Sequence, residues 1–388
     1  MDPATEAALR QLRETDLLRA PCSGCGAQLV FQADTQQLGC SHCGATQALE
    51  FSRNRLQENE LSSAVDQELD ASHYVEQQVF SCPSCGARTR VAADAPTLSC
   101  GFCGSRVINP EAQRTRLIEP AGVLPFRLSR AAATEQFRRW IGTSWLAPND
   151  LAKVANLGNL HGMYLPFWTF DAQANSDWDG ERGDYYYVTV SDTDGKGRTV
   201  LRQERRTKWS YQRGSHEYFY DDLLLPASRG LTQHHKNAEQ VLNYDLQQVV
   251  DYDPRVLLGW EAEVYDLDLY AGRAQAHDTI REREKDACSQ LLGGDTQRDL
   301  RVDTSLSYES FKHLLLPLWL CAYTYRGKLY HFLVNGQTGK VTGSRPLSIW
   351  KVVLLVLLIL AVAGVAAYFW NDAHQSHTTM QTNFEYRQ

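Results

Sequence analysis

Residues 82–104 read CPSCGARTRVAADAPTLSCGFCG. Two Cys-x-x-Cys pairs stand fourteen residues apart, and a glycine follows the second cysteine of each. A Cys-x-x-Cys turn lets two sulfurs reach one tetrahedral ion at about 2.3 Å, and two such turns on a short hairpin complete the four ligands. The glycine frees each turn to take the backbone conformation that aims N–H groups at sulfur. Sixty residues upstream the pattern is already present as Cys22-x-x-Cys25 and Cys40-x-x-Cys43, again fourteen residues apart. The flanks agree as well, CSGCGAQLVFQAD against CPSCGARTRVAAD. A repeated four-cysteine pattern predicts two small β zinc ribbons, over 21–48 and 80–109. Two zinc ions are expected, one held by Cys22, Cys25, Cys40 and Cys43, the other by Cys82, Cys85, Cys100 and Cys103. Four cysteines leave no open position for water, so the expected role is structural.

The rest of the chain sets the context. Its 388 residues allow two to four domains, and 43% hydrophobic with 22% charged residues describe a globular protein. Eight of the ten cysteines belong to the ribbons, leaving Cys288 and Cys321. The first twenty residues, MDPATEAALRQLRETDLLRA, lack the apolar run of a signal peptide. Reduced thiols and metal ligation are therefore expected in preference to disulfides.

Residues 352–370, VVLLVLLILAVAGVAAYFW, hold no charge over nineteen positions. At 1.5 Å per residue they span roughly the ~30 Å hydrocarbon core of a bilayer. Trp350, Tyr368 and Trp370 stand where interfacial aromatics belong. The expectation is one transmembrane helix over 349–370. Lys340, Arg345 and Lys351 give +3 before it, and Asp372, Glu385 and Arg387 give −1 after it. Positive flanks stay inside, which puts the first ~350 residues in the cytosol and a polar tail, 371–388, outside the cytoplasmic membrane.

Between these ends the sequence predicts an amphipathic helix over 1–20, with Leu9, Leu12, Leu17 and Leu18 on one side. It predicts a helical acidic linker over 49–79, and Pro110, Pro120 and Pro125 mark a boundary. The 110–345 region reads as an α+β antiparallel-sheet module. Residues 131–141 and 268–292 have helical spacing, 185–203 read as strand, turn and strand, and 318–343 as a strand meander turning at Arg326-Gly327 and Asn335-Gly336. A weak echo between YLPFWTF (164–170) and LLPLWLC (315–321) points to two related units. Their aromatic residues read as core before they read as a partner groove. The overall fold class is multidomain.

Candidate chemistry is sparse. The net charge of −7 disfavours a dedicated nucleic-acid binder. Ribbon 1 carries no Lys or Arg, and ribbon 2 offers Arg88, Arg90 and Arg106 against Asp94, so a protein-contact role is favoured over phosphate contact. The most basic stretch, 198–213, sets Arg198, Arg202, Arg205, Arg206, Lys208 and Arg213 against Glu204, with Trp209 and Tyr211 between them. A solvated strand facing acidic neighbours such as Asp221 and Asp222 is favoured there. Lipid or partner contact comes second and nucleic acid third. SDTDGKGRT (191–199) resembles a calcium loop, but its twelfth position is Gln203, so a hairpin turn is expected. His161, His216-Glu217 and His234-His235 are scattered and no nucleotide or hydrolase motif occurs, so no enzyme is expected.

The arrangement resembles a family of bacterial membrane-anchored proteins with tandem TFIIB-type zinc ribbons. The residues that carry the resemblance are the eight cysteines, Leu124-Pro125-Phe126, Phe137, Trp140, Gly162-Met163-Tyr164-Leu165-Pro166-Phe167-Trp168, and Val334 through Val341. Members are often labelled replication-restart helicase-like from the ribbons alone, and this chain has no helicase ATPase motif. The resemblance implies a place beside SPFH (flotillin-like) and phage-shock-type membrane-stress proteins, which such members recruit to the membrane. The expected function is a membrane-anchored adaptor that binds protein, with self-association left open. The alternative is a membrane-tethered nucleic-acid binder using ribbon 2 and the 198–213 strand. A third reading is an enzyme whose site lies unrecognised in the α+β module.

Overall fold

The structure, a computed structural model, describes residues 20–385 except 54–55, 57, 62–73, 91–96, 109–110, 152–159, 194, 196 and 235–237. The helix expected over 1–20 lies outside the described residues, apart from residue 20. Ribbon 1 is the antiparallel sheet β1 (Leu29–Gln32), β2 (Gln37–Cys40) and β3 (Thr46–Ala48). After β4 (Asn59–Glu60), ribbon 2 uses β5 (Tyr74–Ser81), β6 (Arg88–Arg90), β7 (Thr97–Ser99) and β8 (Arg106–Ile108), with β9 (Ala112–Ile118) added beside β5. The helical linker expected over 49–79 is therefore corrected in part. Its described residues are irregular or extended, and residues 62–73 lie outside the description. Val75, Val79 and Phe80 of β5 are buried, and seven register pairs with β9 hold the segment as strand.

The module is a nine-stranded sheet. It contains β10 (Gly122–Val123), β11 (Leu160–Thr193), β12 (Thr199–Pro226), β13 (Val250–Asp251), β14 (Glu261–Ala262), β15 (Thr296–Tyr325), β16 (Lys328–Asn335) and β17 (Val341–Gly343), joined by β4. Its helices are α1 (Arg130–Gly142), a short α2 (Arg229–His234) and α3 (Leu269–Leu292), and the chain ends in α4 (Ile349–Glu385). The helices expected at 131–141 and 268–292 are α1 and α3, started by Ser129 and Asp268, whose side chains accept from Ala132 N and Ala271 N. The segment 371–385, expected as part of a polar tail, continues α4.

The echo between YLPFWTF and LLPLWLC has a structural counterpart. These stretches pair antiparallel at the centre of the sheet, with Leu165 opposite Leu316 and Tyr164 opposite Pro317. Around that centre the hydrogen bonds come in matched pairs. Leu124 N donates to Leu315 O, and Glu263 N to Tyr164 O, both at 2.9 Å. Trp319 Nε1 donates to Leu128 O (3.2 Å), and Trp168 Nε1 to Leu267 O (2.8 Å). Gly336 O accepts from Arg127 N and Leu128 N, as Ala227 O accepts from Asp266 N and Leu267 N. Each unit is thus a short strand, a capped helix, a long strand and its hairpin partner. Each short strand, β10 or β14, pairs in parallel with the long strand of the other unit. Trp168 and Trp319 are buried, so both motifs are core, as expected.

Alternation along β11 sorts the core. Met163, Leu165 and Phe167 face a cluster shared with Phe80, Phe102 and the ribbon 2 cysteines, while Tyr164 joins ribbon 1 and α1. Both ribbons are part of the body. Phe31 N donates to Leu258 O and Trp260 Nε1 to Phe31 O, both at 2.9 Å. Val30 packs on Gly259, where a Cβ would meet it at 2.3 Å.

Beyond this body, β12, β11 and β15 continue as a three-stranded blade with α3 on one face. Leu269, Gly272, Ala276, Ile280, Glu284, Cys288 and Leu292 form the buried stripe of α3, at spacings of three or four. β15 begins at Thr296, opposite Gly183. From Asp184↔Lys208 to Thr193↔Thr199 the hairpin runs on with two strands only, ten register pairs. At 3.4 Å per residue this arm is about 30 Å long.

Candidate metal centres and a projecting arm

Each Cys-x-x-Cys forms the same knuckle. The glycine after the second cysteine donates its N–H to the first cysteine's carbonyl, at 2.8 Å for Gly26, Gly86 and Gly104 and 3.0 Å for Gly44. These four glycines have φ between +72° and +77°, and nothing lies within 4 Å of where a Cβ would sit. Backbone conformation alone, not space, asks for glycine there.

The knuckles bring together the two groups expected from the sequence. Within each, the four sulfurs lie within 4.8 Å of one another. Cys22–Cys43 and Cys25–Cys40 are 3.5 Å apart, Cys82–Cys103 3.7 Å and Cys85–Cys100 3.5 Å. A tetrahedral ion with bonds of 2.3 Å spaces its sulfurs about 3.8 Å apart, whereas a disulfide needs about 2.05 Å. All eight are free thiols, and each group could hold one metal ion. Backbone N–H groups of Cys43 and His42 lower the Cys40 thiol to about 6. Burial raises Cys82, but the Ser105 hydroxyl, 3.3 Å away, and the N–H groups of Cys85 and Ser84 outweigh it and hold it at about 6. Their neighbours move the other way. Against the Ala27 N–H, hydrogen bonds shared with Cys40 and Cys43 raise Cys25 to about 12, and burial raises Cys85 to about 11. Without an ion to neutralise them, the four sulfurs of a group do not all ionise together.

Two of the three cations that made ribbon 2 a candidate phosphate reader, Arg88 and Arg90, are engaged elsewhere, while Arg106 is exposed on β8. Arg88 Nη1 donates to Tyr265 O (3.1 Å) and lies 4.0 Å from Asp266. Arg90 Nη1 donates to the Tyr252 hydroxyl (2.9 Å). Both brace ribbon 2 against the segment around β14, where Thr89 and Glu263 form a bridge.

The basic strand is the return strand of the arm. Arg202, Arg205, Arg206 and Lys208 are exposed there, with Tyr186, Tyr187, Val200 and Leu201. Arg205 lies over the Tyr185 ring at 4.3 Å, and Arg206 is 3.5 Å from Glu204. The acidic neighbours expected at Asp221 and Asp222 are a different set. Lys208 stands opposite Asp184 and Arg213 opposite Asp179, while Asp222 is 2.8 Å from Lys312. β11 ends at Thr193 and β12 begins at Thr199 and the two pair antiparallel, so the chain turns back where a hairpin was expected, with residues 194 and 196 outside the description.

Other candidates are structural. Cys288 and Cys321 are buried in core clusters. His161 lies 3.5 Å from Glu261, and His216 Nδ1 2.8 Å from Glu284. His234 ends α2 and His235 lies outside the described residues. Asp171, Asp221 and Asp222 cluster, but Lys312 and Ser310 already serve Asp222 and Asp171. The arm's length and the buried Glu284 were missed in the sequence. Glycines within strands were the available signal for the first. A Cβ at Gly183 would meet Thr207, Thr296 and Trp209, and one at Gly214 would meet the Trp178 ring, all under 3 Å.

At the far end of the chain, Ile349–Trp370 is one helix long and apolar enough to cross a membrane, with a mean hydropathy of 2.9 and none of its span buried.

No protein-family model matches the chain, and no solved structure matches it. It is 26% identical over 246 residues to a protein of Bacillus subtilis (strain 168) described as "Uncharacterized protein YdjG". The similarity covers 61% of this chain, and the chain spans about two thirds, 66%, of that relative's length.

Proposed function

We propose that the protein is a membrane-anchored adaptor that binds a protein partner through the arm and blade of its sheet module. The observation that carries this reading is that one chain leaves two apolar features exposed, the span in α4 and the two-stranded arm. The span has none of its length buried. The two-stranded arm leaves Tyr186, Tyr187 and Leu201 in solvent, with Tyr211 and Tyr218 further along β12. An isolated two-stranded hairpin is marginal in water, and a long open edge is a template for another strand. Aromatic residues with arginine are the composition of binding hot spots.

In this reading each four-cysteine group holds one structural zinc ion. The zinc ribbons brace the body instead of reading a ligand. The cationic flank of Lys340, Arg345 and Lys351 keeps the ribbons and module on the cytoplasmic side of a bacterial inner membrane. The resemblance to tandem-ribbon membrane proteins names the class of partner, an SPFH-type or phage-shock-type membrane-stress component. No chemical step is assigned. Affinity capture of the full chain in mild detergent tests this reading. A membrane-scaffold protein should be retained through a salt wash. Recovery of nucleic acid alone, lost steeply as salt rises, would refute it.

One observation favours a nucleic-acid reading. Exposed Arg202, Arg205, Arg206 and Lys208 share the arm with tyrosines on which bases could stack. With Arg88 and Arg90 tied into the body, ribbon 2 adds only Arg106 to that reading, which rests mainly on the arm.

A further inference from the structure

The geometry points to a second membrane contact: the loop after α1, with exposed Trp145 at its tip, lies on the anionic headgroup surface beside the base of α4. The inference rests on the reading of α4 as a membrane span. Lys351 is the last charge before the uncharged stretch 352–370, so its place along α4 marks the edge of the hydrocarbon. Its ammonium does not reach freely into water. Lys351 Nζ donates to Trp145 O (2.9 Å), Ala147 O (2.8 Å) and Asn149 Oδ1 (2.7 Å). Ser348 N, one turn earlier, donates to Leu146 O (2.8 Å). Atoms within hydrogen-bond reach of a group at the membrane edge are themselves at that edge. The loop is therefore level with the headgroups wherever α4 enters the bilayer.

The loop's two sides differ as such a position requires. Ala147 and Leu151 are buried in the cluster that includes Phe137 and Ile141 of α1, so the loop is fixed to the body. Trp145 is 61% exposed, near the level of Trp350, which is 79% exposed. Indole rings partition to the headgroup region, where an apolar body and a polar N–H are both served. Cations surround them. Arg138 and Arg139 are exposed on the last turns of α1, and Arg345 lies over the Trp140 ring at 3.6 Å with Nη1 3.3 Å from Thr143 Oγ1. Glu135 pairs with Arg139 at 3.3 Å, which leaves Arg138 and Arg345 to carry the surplus positive charge, and Asp150 accepts from the Tyr325 hydroxyl. The occupant of this face is an anionic phospholipid headgroup surface, drawn by clustered arginines next to a span. The contact fixes the body at two points, so the module does not swing on α4. β11 leaves this region at Leu160 and runs to Thr193, which carries the arm away from the contact.

The test uses the full chain in vesicles of phosphatidylcholine with or without phosphatidylglycerol, containing lipids spin-labelled at the headgroup or deep in the acyl chain. An environment-sensitive fluorescent amino acid is placed by codon reassignment at Trp145, at Leu357 within the span, or at Tyr187 on the arm. The acyl label should quench position 357, the headgroup label position 145, and neither position 187. Phosphatidylglycerol should raise quenching at 145 severalfold, and Arg138→Glu with Arg139→Glu should remove that increase while leaving 357 unchanged. Quenching at 357 with none at 145 overturns the second contact and leaves the span intact. Absence of quenching at 357 overturns both. An equal signal at 145 with and without phosphatidylglycerol overturns the anionic headgroup as occupant.

Discussion

His313 lies in the core beside Trp168, whose ring centre is 4.8 Å from its own, and Tyr265, at 5.4 Å. Its Nδ1 faces Ile118 O at 3.0 Å, and since a carbonyl only accepts, Nδ1 carries the proton. Nε2 has no partner. Burial, helped by nearby Arg90, pushes its pKa down to about 3. Below the ordinary value of 6.5 the unfolded chain takes a proton that the folded chain refuses, so stability is whole above pH 6.5 and falls between there and about 3. At pH 4.5 the loss from this one group is on the order of 3 kcal/mol. His313→Phe should flatten the difference between urea melts at pH 7 and pH 4.5 by about that amount, and an unchanged difference would show that the imidazole is not the group refusing the proton. At this scale the cysteines were legible in the sequence because a knuckle is local, closed within five residues by the backbone. The buried state of His313, and the engagement of half-buried Arg88 and Arg90, were not legible. Their partners, Ile118, Tyr265 and Tyr252, lie 162 or more residues away in sequence. The two metal groups should also differ when lost. Cys25 and Cys43 are exposed, whereas all four ligands of ribbon 2 pack on or within the cluster with Leu165 and Phe167. Elemental analysis should find two metal ions per chain, and one in either Cys25→Ser or Cys100→Ser. The melting temperature should fall further for Cys100→Ser.

The helix α3 shows how an element can look solvated and be a core element. Its middle, from Arg273 to Asp286, is densely charged, yet Glu284 is fully buried against the blade. It accepts from Ser176 Oγ (2.7 Å), His216 Nδ1 (2.8 Å) and the Tyr220 hydroxyl (2.8 Å). Burial raises its pKa, but these three donors outweigh it and the net shift is downward. One helical stretch away, Arg273 Nη2 and His277 Nε2 reach Glu309 of β15 at 2.6 and 2.7 Å, and though burial opposes them they hold its carboxyl down to about 2. Glu309 therefore contributes stability that is whole above about pH 4.5 and is lost as pH falls towards 2. Glu284→Ala removes the acceptor of three donors, of which only Ser176 keeps another hydrogen-bond partner among the described residues, Thr304 at 2.8 Å, and should cost about 3 kcal/mol. Hydrogen exchange should show the loss in α3 and the blade, with ribbon amides unchanged. A uniform loss across the chain would mean that blade and body unfold together. The existence of α3 was legible from its helical spacing. Its buried stripe was not, because small residues and a glutamate fill positions where a pattern search looks for Leu or Ile.

The whole molecule joins two related units, each short strand pairing with the other unit's long strand, and two ribbons that close the core from opposite faces of β11. Such exchange makes the body one cooperative piece, so shortening the arm at its tip should leave the body's stability nearly unchanged. The YLPFWTF and LLPLWLC echo was the visible trace of this arrangement. The arm beyond β15 was not visible, because a two-stranded stretch and a three-stranded stretch of one hairpin have the same alternation. If this arm binds a protein partner, a chain without the arm's outer part should lose that partner and nothing else. Residues 187–205 are replaced by a two-residue Asn-Gly turn in the full membrane-bound chain, and the proteins captured by intact and shortened chains are quantified side by side. The account predicts that a membrane-scaffold protein held by the intact chain falls at least about tenfold, which is 1.4 kcal/mol or more of lost binding, while two metal ions and the melting temperature are kept. The same protein captured in the same amount by both chains would contradict it.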